Sequence, residues 1–328
     1  MSSSSDLAGL IGAPELHAGA EATVELWERR GDGVAAVPYV AALTGADPQT
    51  LADAAAISVA GSPEAAHLLE GMGARIRMLN TAVSSSAERC EYAVRGPVLW
   101  AETITARANS LGSDDVFVCS TARRTFETVE NRLLVAALES MAAALRAIAG
   151  PLGSQLTQDE ATRVAKVAEE AQRWRRHPRL VSVRAGRITP RDTARLRGGH
   201  RLSRMGPILA VRRRATEPFD AADVARLADD DTRALHRFAA MVLGGLEQEG
   251  GAPDVLAVEE GAILGRGWSF RHPAGDLTGA PGVRYRGVPL LPPEGSRGDS
   301  RWWAAMPARS ITIDGERDVA RLLERLAA

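Results

Sequence analysis

Two long segments of helical periodicity, set back to back across a Gly150-Pro151 break, constrain this chain more than any other feature in it. In the first, Leu134, Leu138, Met141, Leu145 and Ile148 recur at alternating steps of four and three, the repeat of one helix face. Thr128 stands where a capping hydroxyl is needed, with Glu130 close behind it at the positive end of the helix dipole. The second opens on Thr157-Gln-Asp-Glu160, a capping box with Leu156 placed as a hydrophobic staple, and runs to the break at His177-Pro178. The short loop between them predicts an antiparallel pair. A third helix is expected from Asp220, carrying Val224, Leu227, Leu235, Phe238 and Val242 before it stops at Gly244-Gly245.

Around this helical centre the signals are shorter. Weak periodicity suggests helices around Leu16–Trp27 and Thr50–Ile57, and Ser62-Pro63-Glu64 opens a helix expected to run towards Asn80. Ser84–Ser86 reads as a turn, Tyr92–Trp100 as extended, Glu102–Asn109 as a short helix and Val116–Ser120 as a buried strand. From Gly250 the composition shifts to Gly, Pro and Trp. Extended stretches are expected at Val255–Val258, Trp268–Phe270, Val283–Arg286 and Ser310–Ile313, with a closing helix over Val319–Leu326 and Trp302-Trp303 as packing. The expected fold class is therefore α+β and predominantly helical. A central long-helix core over residues 91–249 follows an N-terminal helical region, 1–90, and precedes a smaller β-containing module, 250–328.

At 328 residues, 45% apolar and 25% charged, the chain is long enough for two modest domains. No apolar run approaches the roughly 18 to 20 residues of a membrane span, and MSSSSDLAGL lacks the basic and apolar regions of a signal peptide. No membrane association and a cytoplasmic location are expected. Cys90 and Cys119 are too few for a disulfide framework or a thiolate zinc site and are expected to be free thiols. There is no GxxxxGK[ST], G-x-S-x-G or HExxH, and Gly265-Arg266-Gly267 reads as a plain turn, not a dinucleotide loop.

The net charge of −1 conceals an asymmetry. Between Arg173 and Arg214 stand fourteen arginines and one acid, Asp192; the stretch from Glu217 to Glu260 is acidic; and Lys166 is the single lysine of the chain. A guanidinium grips phosphate bidentately, is weakly hydrated and stays charged, so clustered arginines suit a nucleic-acid backbone. The competing reading is that they pair with the downstream acids or form a solvated face. Arg173, Arg175, Arg176, Arg184, Arg187, Arg197, Arg201 and Arg204 are the candidate phosphate contacts. Trp174 among them either stacks on a base or faces the core.

Three further stretches carry a resemblance. Arg95-Gly-Pro-Val-Leu-Trp100-Ala-Glu-Thr103, then Val116-Phe-Val-Cys119, then Arg124-Thr-Phe-Glu-Thr-Val-Glu130-Asn131-Arg132-Leu-Leu134 stand in order, followed by His177-Pro-Arg-Leu180. Over roughly residues 68–215 the chain resembles the McrC-like restriction-system proteins. The resemblance implies a prokaryotic defence role, a AAA+ GTPase motor as partner, and cleavage of modified DNA by a C-terminal PD-(D/E)xK nuclease domain. Glu130, Asn131 and Arg132 are its structural motif in this chain.

The chain departs from that family at the nuclease. Such a site needs two acids to hold Mg²⁺ and a lysine two residues beyond the second. Pro253-Asp254 and Glu259-Glu260 supply acids, but no E-x-K triplet exists. The leading expectation is a DNA-contacting, non-catalytic subunit of a restriction or anti-phage assembly, without a cofactor. Two alternatives stay open: a Mg²⁺-dependent endonuclease using Asp254 and Glu259, and a protein–protein adaptor for a AAA+ motor without DNA contact.

Overall fold

The computed structural model describes residues 20–185, 202–248, 254–272, 282–292 and 310–313, with 315, 319 and 321; Ser84, Arg123 and residues 202–204 are described by backbone alone. In chain order come α1 (Glu21–Glu28), α2 (Ala36–Thr44), α3 (Pro48–Gly61), α4 (Pro63–Glu70), α5 (Met72–Arg77), β1 (Ala82–Glu91), α6 (Trp100–Ala108) and β2 (Val116–Thr125). Then follow α7 (Val129–Ala142), α8 (Ala144–Ala149), α9 (Gln158–Arg175), α10 (Leu202–Thr216), α11 (Ala221–Leu227) and α12 (Asp230–Gln248). The last part of the chain holds β3 (Val255–Glu259), β4 (Ala262–Gly265), β5 (Trp268–Arg271), β6 (Gly282–Tyr285), β7 (Val288–Leu291) and β8 (Ile311–Thr312). The fold is α+β and mainly helical, as the periodicity predicts. Among the described residues no helix is long and apolar enough to cross a membrane.

Two compact units emerge, and they do not follow chain order. Of the described residues, one gathers 20–66, Ser140–Glu169 and those from Arg213 onward; the other gathers His67–Glu139, 170–185 and 202–212. The linear boundaries expected at residues 90 and 249 do not coincide with those of these units.

In the first unit the strands after Asp254 are not a module of their own. They form one sheet in the order β3-β4-β5-β6-β7-β8, antiparallel except for the parallel β7–β8 pair. Two of its turns are the dipeptides Glu260-Gly261 and Arg286-Gly287, all four residues at positive φ, the left-handed geometry that matches strand twist in a two-residue hairpin. Strands of four or five residues cannot bury an apolar face alone. Ile263, Phe270 and Val283 instead share a core with Leu26 of α1, Tyr39 and Leu43 of α2, and Leu243 of α12. α2 itself, a short apolar stretch without helical periodicity, is missed by the sequence reading. It is held by burial, with the Tyr39 hydroxyl donating to the carbonyl oxygen of Leu26.

Gly265-Arg266-Gly267 is the turn between β4 and β5, with Gly267 at φ 80°. The Trp268 indole folds back over Gly265 so closely that a Cβ there would sit 2.0 Å from the ring. Gly265→Ala is therefore expected to lower the unfolding free energy by about 1–3 kcal/mol through overpacking. Urea denaturation checks this, and an unchanged midpoint would contradict the packing described.

In the second unit β1 and β2 form a ten-residue antiparallel ladder from Ala82↔Thr125 to Glu91↔Val116. The serines expected to turn at 84–86 lie inside β1, because cross-strand partners such as Thr121, 3.2 Å from Ser86 Oγ, supply what local propensity lacks. Cys119 and Cys90 are buried free thiols. The stretch from Tyr92 to Leu99 makes one bridge, Val98↔Cys119, instead of a strand; Gly96 there lies so close to the Ser120 carbonyl that a Cβ would be 2.4 Å from it. The helix expected to run from Ser62 to Asn80 is broken at Gly71 into α4 and α5.

Candidate nucleic-acid interface

The arginine-bearing segment begins on α9, whose start is the capping box read from sequence. Thr157 N donates to Glu160 Oε2 at 3.0 Å, and Glu160 N donates to Thr157 Oγ1 at 3.3 Å. The Thr157 hydroxyl and amide hold the Glu160 carboxylate below its usual range. At the other end of α9 two arginines are consumed internally. Arg175 Nε donates to Glu139 at 2.8 Å, Nη1 to the Leu180 carbonyl at 3.1 Å and Nη2 to the Val183 carbonyl at 3.3 Å. Arg179 Nη1 donates to the Ile76 carbonyl at 2.9 Å, and its guanidinium lies 5.9 Å from the Phe126 ring centre.

These bonds commit Arg175, one of the expected phosphate contacts, to the carbonyls of the chain leaving the helix, which would otherwise lose their partners. The same bonds set the course of residues 176–184. Along that course Arg176 and Arg184 are exposed, and neither side chain makes a hydrogen bond or ion pair among the described residues. Arg173 remains 72% exposed while pairing with Glu170 at 3.2 Å. Trp174 is half-buried, with its indole N–H on Glu170 and its ring 6.2 Å from that of His177, so the base-stacking role considered for it is not favoured. Arg187, Arg197 and Arg201 lie outside the described residues; Arg204 belongs to α10, and its side chain is not described.

Three of the downstream acids considered as partners of this block pair elsewhere. Glu217 pairs with Arg30, Glu247 with Arg29 at 3.2 Å, and Asp230 with Arg233.

The Glu130-Asn131-Arg132 motif lies in the first turn of α7. Asn131 is buried, and its Nδ2 donates to the carbonyls of Asn80 and Phe126, both at 2.8 Å. Arg132 approaches Glu127 at 3.8 Å, and the other Glu127 oxygen accepts from the backbone N–H of Arg184 at 3.2 Å. Asn131 thus ties the chain before β1 to the chain after β2, and Glu127 links Arg132 to the backbone of Arg184. Sequence reading ranked these residues as a helix-start cluster and missed this link; the 57-residue separation of Glu127 and Arg184 leaves no local signal.

Asp254 and Glu259, the alternative metal ligands, do not converge. They flank β3 at its two ends, a separation of about 16 Å at the usual strand rise, and both are exposed. One divalent ion held by carboxylates at roughly 2.0–2.6 Å cannot bridge that distance. No cluster of three His, Cys, Asp or Glu side chains suited to a metal occurs among the described residues.

Comparison with protein-family models, curated proteins and solved structures finds no match to this chain.

Proposed function

We propose that this protein is a nucleic-acid-contacting, non-catalytic subunit of a prokaryotic restriction or anti-phage defence assembly, with duplex DNA as the polyanion. The observation that carries the contact is the division of labour among its arginines. Arg175 and Arg179 are spent on carbonyls and an acid of their own unit, while Arg173, Arg176 and Arg184 stand exposed along the segment they shape. Cations held outward on an ordered backbone lose little freedom on meeting phosphates. The defence assignment and a AAA+ partner rest on the motif resemblance to McrC-like proteins. The endonuclease reading is disfavoured by the spacing of Asp254 and Glu259 on β3.

A gel-shift titration of the full chain on a duplex of arbitrary sequence tests the reading. Three phosphate contacts alone require log affinity to fall against log salt with a slope of about −2.7 or steeper. Absence of retention at low salt would favour the adaptor reading, in which the chain touches only protein.

A further inference from the structure

The β1–β2 sheet of the second unit has one open edge. On the far side of β2, Leu99 N donates to the Val118 carbonyl at 2.8 Å and Ser120 N to the Pro97 carbonyl at 2.7 Å, so Val118 and Ser120 turn their backbone groups away from β1. Hydrogen bonding alternates along an antiparallel pair. Through the register Glu88↔Cys119, the bonds to β2 therefore fall on Ser84, Ser86, Glu88 and Cys90. Val83, Ser85, Ala87, Arg89 and Glu91 turn their N–H and C=O groups outward, and among the described residues none of these groups has a hydrogen-bond partner.

Edge strands are ordinarily guarded by a proline, a bulge, a charge or a short length. Residues 83–87 carry none of these: they lie in a strand of ten residues whose register to β2 is unbroken, and they include neither proline nor a charged side chain. Val83, Ser85, Ser86 and Ala87 are exposed, and side chains so small put no bulk before an approaching backbone. A two-stranded ribbon is marginal in water, and a further strand adds hydrogen bonds and burial together. β2 cannot accept that strand, because residues 97–99 occupy its other edge.

We infer that the open edge of β1 pairs antiparallel with β1 of a second copy of this chain, giving a four-stranded sheet in the order β2-β1-β1-β2. Identical antiparallel strands related by a two-fold axis bring one residue opposite its own copy. Ala87 is the midpoint of the outward residues from Val83 to Glu91, and only with Ala87 on the axis does every outward group of both strands find a partner. In that register Ser85 faces Arg89, Ser86 faces Glu88 and Val83 faces Glu91, so no two charges of one sign stand directly opposite. Moving the axis to Arg89 or Glu91 would set like charges face to face. A foreign strand is recognised through pockets for its alternate side chains. The small residues of β1 read no sequence, whereas the spacing of its own outward groups fixes the two-fold register. Since this sheet has a single open edge in each chain, association stops at two. The inference does not depend on the nucleic-acid reading.

Sedimentation velocity of the full chain over a micromolar concentration series tests this, because one strand pair falls below the roughly 1,200 Å² of a standard interface and associates weakly. The expected result is a reversible shift from the mass of one chain to that of two. A single-chain mass at every concentration leaves the edge to a foreign strand and overturns the inference, as does growth beyond two. Ala87→Pro should weaken dimerisation at least tenfold with an unchanged far-UV spectrum. The N–H it removes is an outward one, so the ladder to β2 keeps its bonds while the ring blocks the edge. Dimerisation indifferent to that proline would place the interface elsewhere and sink the inference. Two exposed substitutions serve should the proline variant misfold. Ser85→Glu sets a carboxylate opposite each Arg89 and should tighten dimerisation at low salt about twofold to thirtyfold, and Ser85→Lys should loosen it by a similar factor. Equal association of these two variants would overturn the pairing.

Discussion

Replacing Arg173, Arg176 and Arg184 together with alanine is expected to lower the affinity of the full chain for duplex DNA on the order of 10²-fold at 0.1 M salt, and to flatten the salt slope by about 2.7. The size follows from counterion release, in which each neutralised phosphate contributes about 0.9 to the slope. All three side chains are exposed, so their truncation removes no buried contact and stability should change by less than about 0.5 kcal/mol. Arg175→Ala is the contrasting control. It strips partners from Glu139 and from the carbonyls of Leu180 and Val183, and its cost should appear as a lower unfolding midpoint. Equal loss of DNA affinity and of stability in the triple variant would mean that the three arginines are scaffolding, and the proposed contact would fall with them.

The first unit is expected to lose about 3 kcal/mol of stability between pH 6.5 and pH 5 through two buried histidines. His236 on α12 is fully enclosed. Its Nε2 donates to the Leu43 carbonyl at 2.9 Å, so Nδ1 is the acceptor facing the Thr23 hydroxyl at 2.7 Å, and the ring that fits both partners is neutral. Burial pushes its pKa down to about 4. His272, 3.0 Å from Thr232 Oγ1, is likewise pushed down to about 4 by burial. In the unfolded chain both titrate near 6.5, so below that pH the unfolded state binds protons that the folded state refuses. The stabilisation is complete above about pH 6.5 and disappears as pH falls towards 4. Asp229 acts in the same direction: burial opposes its charge, but hydrogen bonds from the Thr232 side chain and backbone hold its carboxylate below the usual range. Urea denaturation at a series of pH values, read by tryptophan fluorescence, measures the effect. A midpoint constant from pH 7 to 5 would show that neither imidazole is held neutral by the fold.

Much of the local structure could be read directly. The capping box at Thr157, the proline-led helix at Pro63, the strand at Val116 and the turn at Gly265-Arg266-Gly267 are short-range patterns whose partners lie within a few residues. The serines of β1 and the helix over Ala36–Thr44 could not be read in the same way, because one depends on a ladder to β2 and the other on burial against a distant sheet. The candidate site divides along the same line. Sequence identified an arginine-dense segment and an Asn131-centred motif, but could not tell that Arg175 is consumed internally, that Glu127 reaches Arg184, or that Asp254 and Glu259 lie at opposite ends of a strand.

What the sequence determined by itself was the helical character of the chain, its caps and turns, and its concentration of permanent charge, since each follows from residue type and near-neighbour spacing. The tertiary structure decided which guanidiniums meet water, which meet carbonyls, and which carbonyls the buried Asn131 amide holds. Those outcomes depend on partners 36 to 103 residues away, such as Glu139 for Arg175, Ile76 for Arg179, Asn80 for Asn131 and Glu127 for Arg184, and only packing brings them within bonding distance.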